Sequence, residues 1–525
     1  MEENRPMGKK GKLIGIRGLL LAPNALLNFI RGKGEAGSSK VETAVSRPLW
    51  RFAHDVLSYL PQKIALSAIS FLNVFLFTRL LSPEAYGVYS LVTAIIGPAV
   101  VLLTEWAAQP IGRYYSEYKM QRLPSYPATI STLLAITIFG GGIVAIGFLL
   151  FVGYRWGILM GIAAALLLFL QALHQLVLPI VPASLDPSFY GFVQVSRALL
   201  TLGLSIGLAF LIGPRPEFLL WGAVFGFVAV LPLLLRRVSR EIGELRLSFS
   251  STPDLRRFAR YGIPLMVWFF AAQLLYVGDR YVLQAFRGSA EVGIYSASYN
   301  LITGVAGFLG APITMAAFPI IMHMWAHNRR DSLRETLTTM TEWYLLLGIG
   351  LVGCTALGAN LLLSLALGAA FREGYSVLLP VLAGQILWQA SMLGHKGMEL
   401  MERTYWMLIL ACIAAIVNLV LNLILVPSYG YVAAAYTTLL SYGLYTFLIW
   451  VFSRRFVPWS IPFRSVVLAM IIATSAAGIA QVVQSGPTVA QALLRILIFS
   501  SLYVTGVAIM KRKVIQQVLH RRLSG

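Results

Sequence analysis

Lys63, Arg197, Asp279, Arg280 and Arg495 each lie inside a long apolar run of the chain. Arg79 ends one such run, and Glu105 and His174 lie near the ends of two others. An ionisable side chain is expensive in hydrocarbon and normally faces a water-filled cavity or a partner. Cations in such a cavity would attract an anionic group. The carboxylates of Asp279 and Glu105 could bind and release a cation or a proton, which is the chemistry of ion coupling. Asp279 and Arg280 are neighbours, so a helix sets them about 100° apart and they cannot simply pair with each other. Arg197 stands about nine residues into its run, roughly 14 Å by helical rise, which is too deep for easy snorkelling. Lys63 lies nearer an end and can snorkel, Arg79 has the position of an interfacial anchor, and Arg495 suits a headgroup or a phosphate. Lys396 and Glu399 read as a solvated helix edge.

These residues need elements that span a membrane. Of the 525 residues 58% are hydrophobic and 12% charged. A soluble domain carries about twice that charge, so most of the surface must face lipid. Cys354 and Cys412 show no metal or disulfide spacing, and the six histidines form no metal motif. No cofactor is expected, although coupling to sodium or protons remains open.

Spans of about 20 apolar residues are expected near 57–80, 86–110, 128–152, 156–181, 188–213, 217–235, 258–286, 291–321, 341–368, 374–394, 404–427, 430–452, 463–484 and 488–510. The net charge of +21 falls in alternate connections. Arg113, Lys119 and Arg122 follow the second span, Arg236 to Arg260 the sixth, Arg329 to Arg334 the eighth, and Arg454, Arg455 and Arg464 the twelfth. Both tails are basic. This alternation predicts a cytoplasmic N-terminus and C-terminus. The run from Leu13 to Ile30 is broken by Arg17, Pro23, Asn24 and Asn28, which suits a basic tail better than a signal peptide. The connections are too short to hold a soluble catalytic domain, so the chain reads as a transporter and not an enzyme.

A displacement of 206 residues lays Arg51-Phe52-Ala53 on Arg257-Phe258-Ala259 and Gly87-Val88-Tyr89-Ser90 on Gly293-Ile294-Tyr295-Ser296. Six spans separate the copies, an even number, so the repeat is parallel. The fold expected is an all-α polytopic membrane protein of about 14 helices. Its parts are a tail at 1–50, six-helix bundles at 51–240 and 241–455, an extra helix pair at 456–510 and a tail at 511–525. Asn73 is the repeat counterpart of Asp279.

The segment Thr78-Arg-Leu-Leu-Ser-Pro-Glu-Ala-Tyr-Gly-Val-Tyr-Ser90 resembles the end of the first span in bacterial polysaccharide flippases. Ala290-Glu-Val-Gly-Ile-Tyr-Ser-Ala297, preceded by Asp279-Arg280, resembles their seventh-to-eighth span junction. These flippases belong to the multidrug/oligosaccharidyl-lipid/polysaccharide exporter superfamily, and the likeness extends over about 50–455 in layout. It implies translocation of an undecaprenyl-diphosphate-linked oligosaccharide across the bacterial inner membrane by alternating access, for exopolysaccharide, capsule or O-antigen synthesis. Polysaccharide polymerase and glycosyltransferases would be its working partners. Lys63, Arg79, Arg197, Arg280 and Arg495 would then bind substrate, and Asp279 or Glu105 would couple an ion. The chain departs from relatives with twelve spans, and it lacks an evident Arg-Asp pair in the first span of the kind expected for a peptidoglycan substrate. A multidrug antiporter of the same superfamily would favour acidic and aromatic cavity residues. A membrane glycosyltransferase would need a larger external loop than Ser82 to Tyr86.

Overall fold

In the computed structural model, the described residues are 60–121, 125–243, 252–326, 329–401, 403–482, 489–512 and 516. The N-terminal tail, the repeat motif at 51–53 and most of the C-terminal tail lie outside them. Among the described residues there is no strand. Hydrocarbon offers backbone groups no water, so an apolar segment satisfies its own amides as a helix.

The long helices are α1 Leu60–Leu80, α2 Pro83–Gln121, α3 Ser125–Trp156, α4 Ile158–Val177, α5 Pro187–Leu211, α6 Pro216–Ile242, α7 Thr252–Phe286, α8 Ser289–Ala326, α9 Arg330–Ala366, α10 Tyr375–Gly394, α11 Thr404–Ser453, α12 Phe463–Gln481 and α13 Val489–Met510. Helix α11 has 50 residues, about 75 Å at 1.5 Å per residue and more than twice a bilayer core. It breaks at Gly430, whose φ of 58° and ψ of −143° suit a residue without Cβ. Its two arms therefore supply two crossings, and the total agrees with about fourteen expected spans.

Turn chemistry is local. Ser82 Oγ accepts from Ala85 N at 3.2 Å just before α2, which begins at Pro83. Asp186 caps α5 by accepting from Phe189 N at 3.0 Å, with Pro187 opening the helix.

Packing follows the repeat. In the first half α1 packs on α5, α2 on α4, α3 on α4, and α6 on α4 and α5. In the second half α7 packs on α11, α8 on α10, α9 on α10, and α11 on α10. The halves meet through α2 with α7, α1 with α8, and α2 with α8. Exchanging the halves converts the first of these contacts into the second and maps the third onto itself. The pair α12 and α13 packs against α9. Glycines on α9 admit aromatic rings from α13: a Cβ on Gly353 would lie 2.0 Å from the Phe499 ring, and one on Gly350 2.8 Å from Tyr503.

The two ends of the bundle are closed by different chemistry. At the arginine-rich end Arg257 of α7 makes a two-pronged ion pair to Glu117 of α2, at 3.1 and 2.6 Å. At the opposite end Arg79 of α1 reaches the last carbonyls of α9, Leu365 O at 2.9 Å and Ala366 O at 3.3 Å. Beside it Gly368 N donates to Thr78 Oγ1 at 3.1 Å.

Candidate functional site

Asp279 and Arg280 lie two turns before the end of α7, and they are 1% and 4% exposed. As their spacing requires, they face different partners. Asp279 Oδ2 accepts from the Tyr295 hydroxyl of α8 and from Thr438 Oγ1 of α11 at 3.3 Å. Its other oxygen, Oδ1, is buried and accepts no protein hydrogen bond. Arg280 Nη2 donates to Asn300 Oδ1 at 3.3 Å, and Asn300 donates in turn to the Tyr86 hydroxyl of α2 at 3.4 Å. The Arg280 guanidinium also stands 5.5 Å from the Tyr276 ring centre and 5.4 Å from that of Tyr299. Its Nε is buried without an acceptor.

A layer of tyrosines extends this network. Tyr299 and Tyr442 share a hydrogen bond of 3.1 Å, and Gln385 of α10 donates to Tyr299 at 3.1 Å. The cluster thus joins α2 of the first half to α7, α8, α10 and α11 of the second. Its unused polar atoms, one carboxylate oxygen and one guanidinium nitrogen, can accept a cation and donate to an anion respectively.

A second polar centre lies in the first half. Glu105 is buried and accepts from Gln109 at 2.8 Å and from Gln175 of α4 at 3.0 Å. Nearby on α4, buried His174 meets the Phe227 ring edge-on, and the Arg197 guanidinium lies 4.8 Å from the centre of the same ring. Arg197 also donates to Gln194 of its own helix at 3.5 Å. Asn73 is half-buried, with its side-chain oxygen buried and accepting no protein hydrogen bond.

The remaining expected residues stand elsewhere. Lys63 is exposed on α1, Arg495 is half-buried on α13, and Arg79 is engaged with α9 carbonyls at the bundle end. Of the seven expected site residues, only Asp279 and Arg280 share one buried cluster in the described contacts. Glu399 departs from the solvated edge expected for it: it pairs with the buried His395 at 2.9 Å as well as with Lys396 at 2.6 Å. Sequence reasoning passed over Tyr86, Tyr276, Tyr295, Tyr299, Thr438 and Tyr442. The signal available for them was spacing, since Tyr295 and Tyr299 are one turn apart, as are Thr438 and Tyr442.

Known proteins place the fold. Over 396 residues the chain is 21% identical to the Haloferax volcanii protein named "Probable low-salt glycan biosynthesis flippase Agl15", covering 73% of this chain and 79% of that one. Its structure is similar to a lipid II flippase MurJ in an inward closed conformation, with a TM-score of 0.69 at 12% identity, over 87% of this chain and 99% of that one. It is also similar to an inward-facing multidrug resistance transporter of the MATE family of the MOP superfamily, with a TM-score of 0.64 at 12% identity, over 76% of this chain and 97% of that one. At such identities these two structures establish the fold alone. The polysaccharide biosynthesis protein family matches residues 52–325, which is more than half of the sequence, and the chain is a multi-pass membrane protein that belongs to that family.

Proposed function

We propose that the protein flips an undecaprenyl-diphosphate-linked oligosaccharide across the bacterial inner membrane, for surface polysaccharide synthesis. The observation that carries this reading is Arg280, a buried guanidinium with an unsatisfied Nε in a cluster that joins the two halves. A diphosphate is the anion such a group would recognise. The tyrosine faces and amides around it suit sugar rings and hydroxyls. Arg197, in the first half, would meet the same anion as the halves rock about the α1, α2, α7 and α8 contacts. Asp279, with one oxygen free of protein donors, would hold the coupling cation, sodium or a proton, and Glu105 would be a second coupling carboxylate in the other half. Both chain ends would lie in the cytoplasm, with polymerase and glycosyltransferases as working partners.

The test is flipping of a fluorescent undecaprenyl-diphosphate-linked saccharide in proteoliposomes. Arg280→Gln and the double variant Arg197→Ala, Arg280→Ala should abolish flipping while the folded protein remains in the membrane. Undiminished flipping sinks the reading. Export of a lipophilic cationic dye in place of the saccharide would move the assignment to a multidrug antiporter.

A further inference from the structure

The second half holds a polar centre that the reading above does not use. His395 follows the last turn of α10 and is 1% exposed. Its Nε2 lies 2.9 Å from Glu399 Oε1, and its Nδ1 lies 3.4 Å from the Tyr445 hydroxyl of α11. Glu399 is a third exposed and also binds Lys396 Nζ at 2.6 Å. The charged or titratable groups that the described contacts place on His395 are thus Glu399 from its own connection and Tyr445 from α11, with Lys396 behind Glu399. From α7 it meets Trp268, an uncharged ring 5.9 Å away. A water-reachable carboxylate therefore touches a buried imidazole, at the end of the bundle away from Asp279.

Two columns of hydroxyls stand between this centre and Asp279. Helix α8 carries Tyr295 and Tyr299, and helix α11 carries Thr438, Tyr442 and Tyr445. They form rungs: Tyr295 with Thr438 at 3.5 Å, Tyr299 with Tyr442 at 3.1 Å, then Tyr445 with His395 at 3.4 Å. The first rung contacts Asp279 directly. Trp388 packs on both Tyr442 and Tyr445, with ring centres 5.1 and 4.8 Å away, and holds the column together. Successive rungs are three or four residues apart, roughly 4.5–6 Å of helical rise, so transfer between them requires a bridging water or a hydroxyl swing at each step.

We propose that Glu399 and His395 form a proton-binding site and that this hydroxyl ladder carries the proton to Asp279. A proton from water binds Glu399 and passes to His395 Nε2. The imidazolium releases its Nδ1 proton to Tyr445, and each hydroxyl or bridging water accepts one proton and gives one. Asp279 ends as a neutral carboxylic acid. The relay leaves the imidazole protonated at Nε2. It regains the Nδ1–H form by losing that proton to water through Glu399 and taking one from water at Nδ1, with no net change in protons, and every relay group returns to its starting charge. The net change is one proton moved from water at Glu399 to Asp279. This inference rests on the reading of Asp279 as the coupling carboxylate and names its ion as the proton.

The experiment uses the full chain in proteoliposomes with an entrapped pH dye, undecaprenyl diphosphate as the probe and an imposed pH difference. The wild type should move protons when the probe is present. His395→Gln and Tyr445→Phe should each lower that flux by about tenfold or more, as removal of a proton-transfer group does. Both variants should still flip the probe downhill in the absence of an ion gradient. Proton flux unchanged in both variants overturns the ladder. Loss of downhill flipping along with the flux also overturns it, since that marks a structural role. Asp279→Asn separates the two readings. If Asp279→Asn abolishes ion-driven flipping while the other two variants keep it, the ladder alone fails. If Asp279→Asn keeps ion-driven flipping, the coupling carboxylate fails with it.

Discussion

Gly87 and Gly293 face each other where the two halves meet, each against the backbone that opens the other's helix. A Cβ on Gly87 would lie 1.8 Å from Ser289 O, and one on Gly293 would lie 1.9 Å from Pro83 O. The two residues are 206 apart, and so are Pro83 and Ser289. One sequence displacement thus generates a contact with two equivalent sides, as a two-fold arrangement of parallel repeats requires.

Substitution at either glycine should therefore wedge this end of the bundle. Gly87→Ala and Gly293→Ala should each lower stability by about 1–3 kcal/mol, the usual result of overpacking. Thermal unfolding in detergent measures the loss, and the two variants should behave alike. Accessibility of a cysteine placed at the buried Leu81 should rise in both. A stability equal to that of the wild type would show that the helices can part at no cost.

Arg79 should act as a strap between the halves. It supplies donors to α9 carbonyls that have no partner within their own helix. Arg79 is exposed, so Arg79→Ala should cost only about 1 kcal/mol in stability. Its larger effect should be on distance. Spin labels on Ser82 and Tyr375, both exposed at this end, should show a broader and longer distribution in Arg79→Ala than in the wild type. An unchanged distribution would mean that Thr78 and the glycine contacts hold this end without Arg79.

The last two helices should depend on one glycine. Gly353→Ala puts a methyl 2.0 Å from the Phe499 ring, so docking of α13 on α9 should weaken by about 1–3 kcal/mol. Trimming the ring should relieve the clash. Phe499→Leu should then be less harmful in the Gly353→Ala background than in the wild type, and a double-mutant cycle by thermal unfolding reads that coupling. Additive losses would place the strain elsewhere.

The spans were legible because hydrocarbon imposes one rule on every residue in it. A crossing needs about 20 apolar residues, so 404–427 and 430–452 stand out as two runs even though one helical stretch contains both. The doubling was legible because Gly87 and Gly293 share a displacement. Asp279 and Arg280 were legible as charges where charge is expensive. Their partners were not. Tyrosine is counted among the hydrophobic residues and sits within apolar runs, so Tyr295, Tyr299 and Tyr442 look like lipid-facing or core residues until their hydroxyls are placed. Thr438 lies 159 residues from Asp279 in sequence, and no local spacing relates the two. Glu399 looked solvated because it lies in a connection, and only the packing of α7 and α11 around His395 reveals a buried partner.

Sequence by itself determined which segments enter the membrane, that they are duplicated in parallel, and which ionisable residues enter with them, because hydrophobicity and charge are properties of each residue's own surroundings. Tertiary structure alone decided that Asp279 and Arg280 share a buried cluster while Arg79 caps a helix and Arg197 stacks on Phe227. Those outcomes depend on which faces of distant helices meet, and an apolar helix carries little polar pattern along its length to say which face that will be.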